Sequence, residues 1–192
     1  MMIRSFFAIP LSTEIKDGIF METKRIKSEL PGANIKWVEP QNLHLTLKFL
    51  GNSSDKDLYK IVEHLQNEIH VFKNFMLSFS NLGIFPSIKN PKVVWVGCDQ
   101  SKLLQQLFTI IERVCTIINI AYEEKPFSPH ITVGRLKNSF STEELDLFRK
   151  IISELKTKEF GAQEVMGFSL LRSVLTPTGP IYTPIHKFMF SK

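Results

Sequence analysis

Two stretches decide how this chain reads: Asn42-Leu43-His44-Leu45-Thr46-Leu47-Lys48-Phe49-Leu50-Gly51 and, later, Phe127-Ser128-Pro129-His130-Ile131-Thr132-Val133-Gly134. Each alternates apolar and polar residues with the two-residue period of a half-buried strand. In the first, Leu43, Leu45, Leu47 and Phe49 fall on one side, His44, Thr46 and Lys48 on the other. In the second, Pro129, Ile131 and Val133 oppose His130, Thr132 and Gly134. Successive strand side chains point to opposite faces, so each stretch sets a histidine and a threonine side by side while aliphatic residues anchor the strand in a core.

The surroundings repeat as well. Met2 to Ile9 reads as a strand closed by Pro10, and Ser12 or Thr13 then caps a helix ending near Pro31-Gly32. After the first H-x-T stretch, Asp55 is the expected N-cap of a helix with the stripe Leu58, Ile61, Val62, Leu65 and Ile69. Strands are predicted over Phe75–Leu82 and Lys92–Gly97, and the longest helix over Ser101–Ala121. A helix from Ser141 or Thr142 to about Lys158 follows the second stretch, then a final pair of strands over Glu164–Arg172 and Ile181–Phe190.

An offset of 86 (130 − 44) superposes His44 on His130, Leu45 on Ile131, Thr46 on Thr132 and Leu47 on Val133. It also aligns Ile61, Val62, Leu65 and Ile69 with Leu147, Phe148, Ile151 and Leu155, while an offset of 89 (168 − 79) sets Phe79-Ser80 on Phe168-Ser169. A duplicated chain is therefore expected, with two related lobes about a pseudo-twofold axis that brings the two polar faces together across one cleft.

Composition bounds the rest. At 192 residues, 43% hydrophobic and 22% charged, the chain is long enough for a sizeable core and too apolar for disorder. We read 1–192 as a single bilobal domain. The net charge of +5 favours an anionic ligand without establishing nucleic-acid binding. Cys98 and Cys115 lack the spacing of a zinc site or disulfide framework, and Gln105, Gln106, Glu112 and Arg113 break the most apolar long stretch. No membrane segment or secretory leader is expected, and a cytoplasmic location is.

A lone H-x-T on a strand signals little more than a hydrogen-bonded strand pair; its recurrence at equivalent repeat positions points to a functional pair. Histidine titrates near neutrality, so a neutral ring takes a proton while a charged partner gives one. Two threonine hydroxyls, Thr46 and Thr132, donate to the phosphoryl oxygens where charge gathers in a pentacoordinate transition state. A five-membered cyclic phosphodiester suits the set: one histidine activates water for attack at phosphorus and the other protonates the departing ribose oxygen. No Asp, Glu or Cys accompanies either histidine on its polar face, so a metal site would lack its third ligand, and neither metal nor cofactor is expected.

Met2–Pro10 (MIRSFFAIP), Trp37 followed by the first H-x-T stretch, Pro91–Gly97 (PKVVWVG), Phe127–Arg135 (FSPHITVGR) and the closing Leu171–Tyr182 together resemble the two-histidine (2H) phosphoesterase superfamily. The likeness is greatest to its RNA 2',3'-cyclic phosphodiesterase branch, historically called 2'-5' RNA ligase. Val133-Gly134 stands where leucine and alanine are more usual. The resemblance implies an α+β bilobal duplicated fold, with two antiparallel sheets flanked by helices around a central cleft. It implies opening of RNA-terminal 2',3'-cyclic phosphates to 2'-phosphomonoesters, with His44 as proton donor and His130 as proton acceptor. The partners expected are RNA 3' ends or nucleotides bearing the cyclic phosphate, and a monomer with no obligatory protein partner. A related phosphodiesterase or reversible 2'-5' ligase acting on small cyclic nucleotides or 2'-5' linked oligonucleotides, and a non-catalytic RNA-end binding module, remain alternatives.

Lower in order come Lys48, which alternation places on the His44 face as a phosphate ligand, and Arg135, which matches a family arginine but lies opposite His130 unless a bulge intervenes. Phe49, Phe127 and Trp37 are candidates for stacking on a base, against the alternative that they belong to the core. His64, His70 and His186 have no paired threonine and read as surface or hydrogen-bonded histidines.

Overall fold

The computed structural model describes residues 2–191. Nine strands and four helices follow in the order β1 (Met2–Pro10), α1 (Thr13–Glu29), β2 (Ile35–Trp37), β3 (His44–Ser54), α2 (Asp55–Ile69), β4 (Phe75–Ser87), β5 (Asn90–Cys98), α3 (Lys102–Ile117), β6 (His130–Leu136), α4 (Thr142–Glu154), β7 (Glu159–Val165), β8 (Gly167–Thr176) and β9 (Gly179–Met189). All four helices start the same way: the hydroxyls of Ser12, Ser54, Ser101 and Ser141 accept from a backbone N–H three residues on. A serine oxygen satisfies one of the helix's orphan donors, worth ~1 kcal/mol each. The cap of α2 is thus Ser54 rather than Asp55.

The strands form two antiparallel sheets, in the orders β3-β1-β8-β9 and β2-β6-β5-β4-β7. Leaving aside the short β2, the orders match, with β3 answering to β6, β1 to β5, β8 to β4 and β9 to β7. The repeat is therefore real, but the halves exchange strands. The hairpin that closes the first repeat and opens the second, β4–β5, makes these strands antiparallel neighbours, and β8 returns to pair with β1. Phe6 sits opposite both Phe49 and Leu171, and Val93 opposite both Arg135 and Phe85. Strands β4 and β8 hence correspond at an offset of 86 (171 − 85), and the 89 suggested by matching Phe79-Ser80 with Phe168-Ser169 is superseded by the ladder register. A bulge in β4, with Asn81 at φ 65°, separates the two parts of that strand.

Helices exchange likewise. Helix α1 packs on β7 of the second sheet, while α2 and α3 pack together beside β3 of the first. Matching surface ion pairs join each helix couple: Arg25 to Glu154 between α1 and α4, and Arg113 to Glu68 between α3 and α2. Such exposed pairs add little stability. The core does the holding, with Phe7, Phe168 and Phe188 in mutual ring contact and all 2% exposed or less. Burial of each such ring contributes roughly 1.5–3 kcal/mol.

Two further expectations are corrected. The predicted strand Glu164–Arg172 is two strands, β7 and β8, in different sheets, divided at Met166-Gly167; a Cβ on Gly167 would lie 2.0 Å from the Phe188 carbonyl oxygen, so only glycine allows that approach. Residues 118–129, in part predicted as strand and helix, are a connection without regular structure. Among the described residues no helix is long and apolar enough to cross a membrane.

Candidate active site

Strands β3 and β6 lie against each other where the two sheets meet. Each carries a bulge at the same repeat position. Opposite β3, Ala8 pairs with Thr46 and Phe7 with Lys48, so Leu47 is the extra residue; opposite β6, Trp95 pairs with Thr132 and Val94 with Gly134, so Val133 is. An extra residue resets the alternation. After each H-x-T, two consecutive residues turn inward, Leu47-Lys48 and Val133-Gly134, and the third, Phe49 or Arg135, rejoins the polar face.

The bulge overturns the expectation for Lys48. Its side chain is buried, with Nζ donating to Glu112 Oε1 at 2.7 Å and to the Ala121 carbonyl at 2.9 Å. It binds the protein and is not placed to bind phosphate. Phe49, assigned by simple alternation to the core side, is 63% exposed and touches Phe6 at 5.7 Å between centroids. Arg135 is exposed on the side of His130 and Thr132, as the bulge requires. Phe127 is corrected too: its ring lies face to face with Phe108 of α3, 4.2 Å and 6° apart, so it packs the 118–129 connection onto the core instead of offering a free platform.

Both imidazoles are held alike. Nδ1 of His44 donates to the Asn42 carbonyl at 2.6 Å, and Nδ1 of His130 to the Ser128 carbonyl at 2.7 Å, each two residues back along the chain. This bond puts the neutral ring's proton on Nδ1 and leaves Nε2 with its lone pair. Thr46 and Thr132 are half-buried, and among the described residues neither hydroxyl is bonded to another side chain.

Aromatic rings wall each histidine. Phe6 lies 4.9 Å from His44, and Tyr182 of β9 meets its ring edge-on at 5.2 Å. Phe85 meets His130 edge-on at 5.0 Å, with Trp95 at 6.4 Å. Burial pushes His44 below the ordinary histidine range, the Asn42 carbonyl partly opposing it and the Lys16 charge adding to it. Tyr182 is raised by burial, while the charges of Arg135 and Arg4 act to lower it. The charge of Arg135, from the second sheet, is thus felt at the tyrosine that touches His44. Lys16, Tyr182, Phe6 and Phe85 are members of this cluster that the sequence reading missed; no periodicity marks them, because they come from four other elements.

Among the described residues no three His, Cys, Asp or Glu side chains converge as a metal site would require. Cys98 and Cys115 are unpaired thiols, each pushed up to about 12 by burial. Of the remaining histidines, Nδ1 of His70 bonds the Asn67 carbonyl, His186 contacts Gln66, and His64 is exposed.

A family model described as LigT like Phosphoesterase matches the chain twice, over residues 9–95 and 96–182, one match for each repeat. An RNA 2',3'-cyclic phosphodiesterase of Archaeoglobus fulgidus is 37% identical over 93% of this chain and 97% of its own length. One from Methanothermobacter thermautotrophicus is 32% identical over 98% and 99%. In three dimensions the chain is similar to E. coli LigT complexed with 3'-AMP, with a TM-score of 0.80, 25% identity and full coverage of both chains.

Proposed function

This chain belongs to the LigT-like phosphoesterase family, and from that premise we propose that it is a hydrolase opening RNA-terminal 2',3'-cyclic phosphates to 2'-phosphomonoesters by two-histidine acid-base catalysis. The observation that carries the mechanism is the pair of imidazoles on equivalent strands, each with Nδ1 tied to a backbone carbonyl and Nε2 left for the reaction. His130 accepts a proton from water through Nε2 as the water oxygen attacks phosphorus. His44, protonated, donates from Nε2 to the departing 3' oxygen in line. Each role is commonly worth ~10² to 10⁴ in rate.

Burial makes the His44 proton weakly held, which favours its transfer, and the anionic phosphodiester supplies the charge that keeps the ring protonated until then. Thr46 and Thr132 donate to the non-bridging oxygens, and Arg135 adds a fixed positive charge from the same face as His130. Phe49, exposed and continuous with Phe6, stacks on the terminal base. Each half supplies one imidazole, so residues 1–192 act as one catalytic unit. The unpaired thiols fit a reducing, cytoplasmic setting.

The test is incubation of the protein in EDTA with an oligoribonucleotide ending in a 2',3'-cyclic phosphate, followed by phosphorus NMR. A single 2'-phosphomonoester resonance is expected. Persistence of the cyclic signal with folded protein, a 3'-phosphate product, or turnover only after metal is restored would each overturn the mechanism.

A further inference from the structure

A groove of about 780 Å³ lies beside the half of β4 that β7 does not reach. Strand β7 pairs with β4 only as far as Ser80, and beyond the Asn81 bulge β4 is paired only with β5 among the described strands. Helix α4 and the turn after it form the opposite wall. Leu82, Ile84, Ile88 and Ile152 make the lining apolar, and the charged residues that line it, Arg149 and Lys156, are both basic. Arg149 also bonds Asp146 at 2.8 Å, an exposed pair that leaves other guanidinium N–H groups available.

Trp95 joins this groove to the reaction centre. It stands directly opposite Thr132 on one side and Gly83 on the other, and residues paired across a ladder share a face. One neighbour of its ring is His130; at the other end the ring lies so close over Gly83 that a Cβ there would sit 2.2 Å from Cζ2. The glycine is what lets the indole lie flat and reach the groove. Its Nε1–H is buried and has no acceptor, an unmet donor that costs free energy unless a bound group accepts from it.

We propose that this groove seats the RNA chain on the 5' side of the terminal cyclic phosphate. The inference rests on the function proposed above. From the phosphorus centre between the histidines, the chain passes over Trp95, stacks a base against the apolar lining, and brings backbone phosphates to Arg149 and Lys156. The volume lies within the ~300–1,000 Å³ of small-ligand sites. Combined stacking and phosphate contact is how single strands are held without sequence preference. Continuity with the site and the basic lining favour this occupant over a peptide or a second copy.

The experiment compares kcat/KM for a mononucleotide 2',3'-cyclic phosphate and for a tetraribonucleotide ending in one, using the full chain and Arg149→Gln/Lys156→Gln. Both side chains are exposed, one on α4 and the other on the turn after it. For the variant, kcat/KM on the tetranucleotide falls about tenfold, chiefly through KM, and its log-salt slope weakens by about 0.7 for each phosphate no longer neutralised. The mononucleotide rate is expected to stay within about twofold by the same argument. Equal losses on both substrates, or no loss on either, overturn the proposal. If the unaltered chain opens neither substrate, the functional reading fails instead; fluorescence anisotropy with a 2'-phosphorylated tetranucleotide still tests the groove, which fails if the variant binds equally well. A concentration-dependent dimer in sedimentation that Ile152→Glu abolishes would assign the groove to a second copy and overturn it as well.

Discussion

The two H-x-T strands are alike where a ring and a hydroxyl must be aimed and unlike one step further on. Both place histidine and threonine on one face, both tie Nδ1 to a carbonyl two residues back, and both bulge at the next residue. The slot turned inward by the bulge is then used in opposite ways. In β3 it holds Lys48, buried against Glu112, whose other oxygen accepts from the Glu123 N–H. The strand bearing His44 thereby fixes the connection that leads to His130. In β6 the same slot holds Gly134, where a Cβ would sit 2.9 Å from both Ile35 and Trp37. The duplicated feature is the backbone geometry that aims each histidine and threonine; the inward residues diverge to join one half to the other.

The surest way to break the comparison is to remove the rings one at a time. His44→Ala and His130→Ala should each lower kcat by ~10² or more, and the double variant should be little worse than either, since paired catalytic groups act as a unit. Rapid-quench single-turnover assays on a cyclic-phosphate oligonucleotide check this; near-full activity in either variant would mean that only one half-site reacts.

Next in size is the inward slot of β3. Lys48→Met leaves the Glu112 carboxylate buried without its partner and should destabilise the fold by ~3–5 kcal/mol, while Lys48→Met/Glu112→Leu should recover most of that loss. Urea unfolding measures both, and an unshifted midpoint for the single variant would remove the pair from the account. Gly134→Ala, at the equivalent position, crowds Trp37 and Ile35 and should cost ~1–3 kcal/mol in the same assay.

The smallest effect concerns the proton of His44. His44 is held below its ordinary value of 6.5, so as pH falls the unfolded chain takes up this proton before the folded one does. Stability contributed by neutral His44 is complete above pH 6.5 and is lost as the pH falls from there through its lowered folded value, with a slope of at most about 1.4 kcal/mol per pH unit for one proton. Thermal melts between about pH 7.5 and about pH 5 should show this slope and lose it in His44→Gln. An unchanged slope would mean that the burial of His44 is not felt as a proton penalty.

Much of this is legible in the chain. The period-two pattern around His44 and His130, the presence of the four helices and the offset of 86 follow from residue order alone, because alternation and repetition are local properties; the cap of α2 lies one residue before the expected Asp55, at Ser54. Alternation sends Lys48 and Phe49 to the wrong faces because a bulge is set by pairing with β1, and nothing within β3 announces it. Phe127 is left between a base platform and the core because its partner Phe108 comes from a helix nineteen positions earlier (127 − 108). Tyr182, Lys16 and Trp95 reach the site from strands and a helix whose own patterns are those of ordinary core and surface elements.

The sequence by itself determined the duplication and the two H-x-T half-sites on which the proposed chemistry rests, since residue type and spacing carry those directly. Only the tertiary structure decided that the halves trade strands and helices, that each H-x-T ends in a bulge, and which side chains stand around the imidazoles. These depend on register and on contacts between residues far apart in the chain, where the free energy of packing and not local preference selects the arrangement.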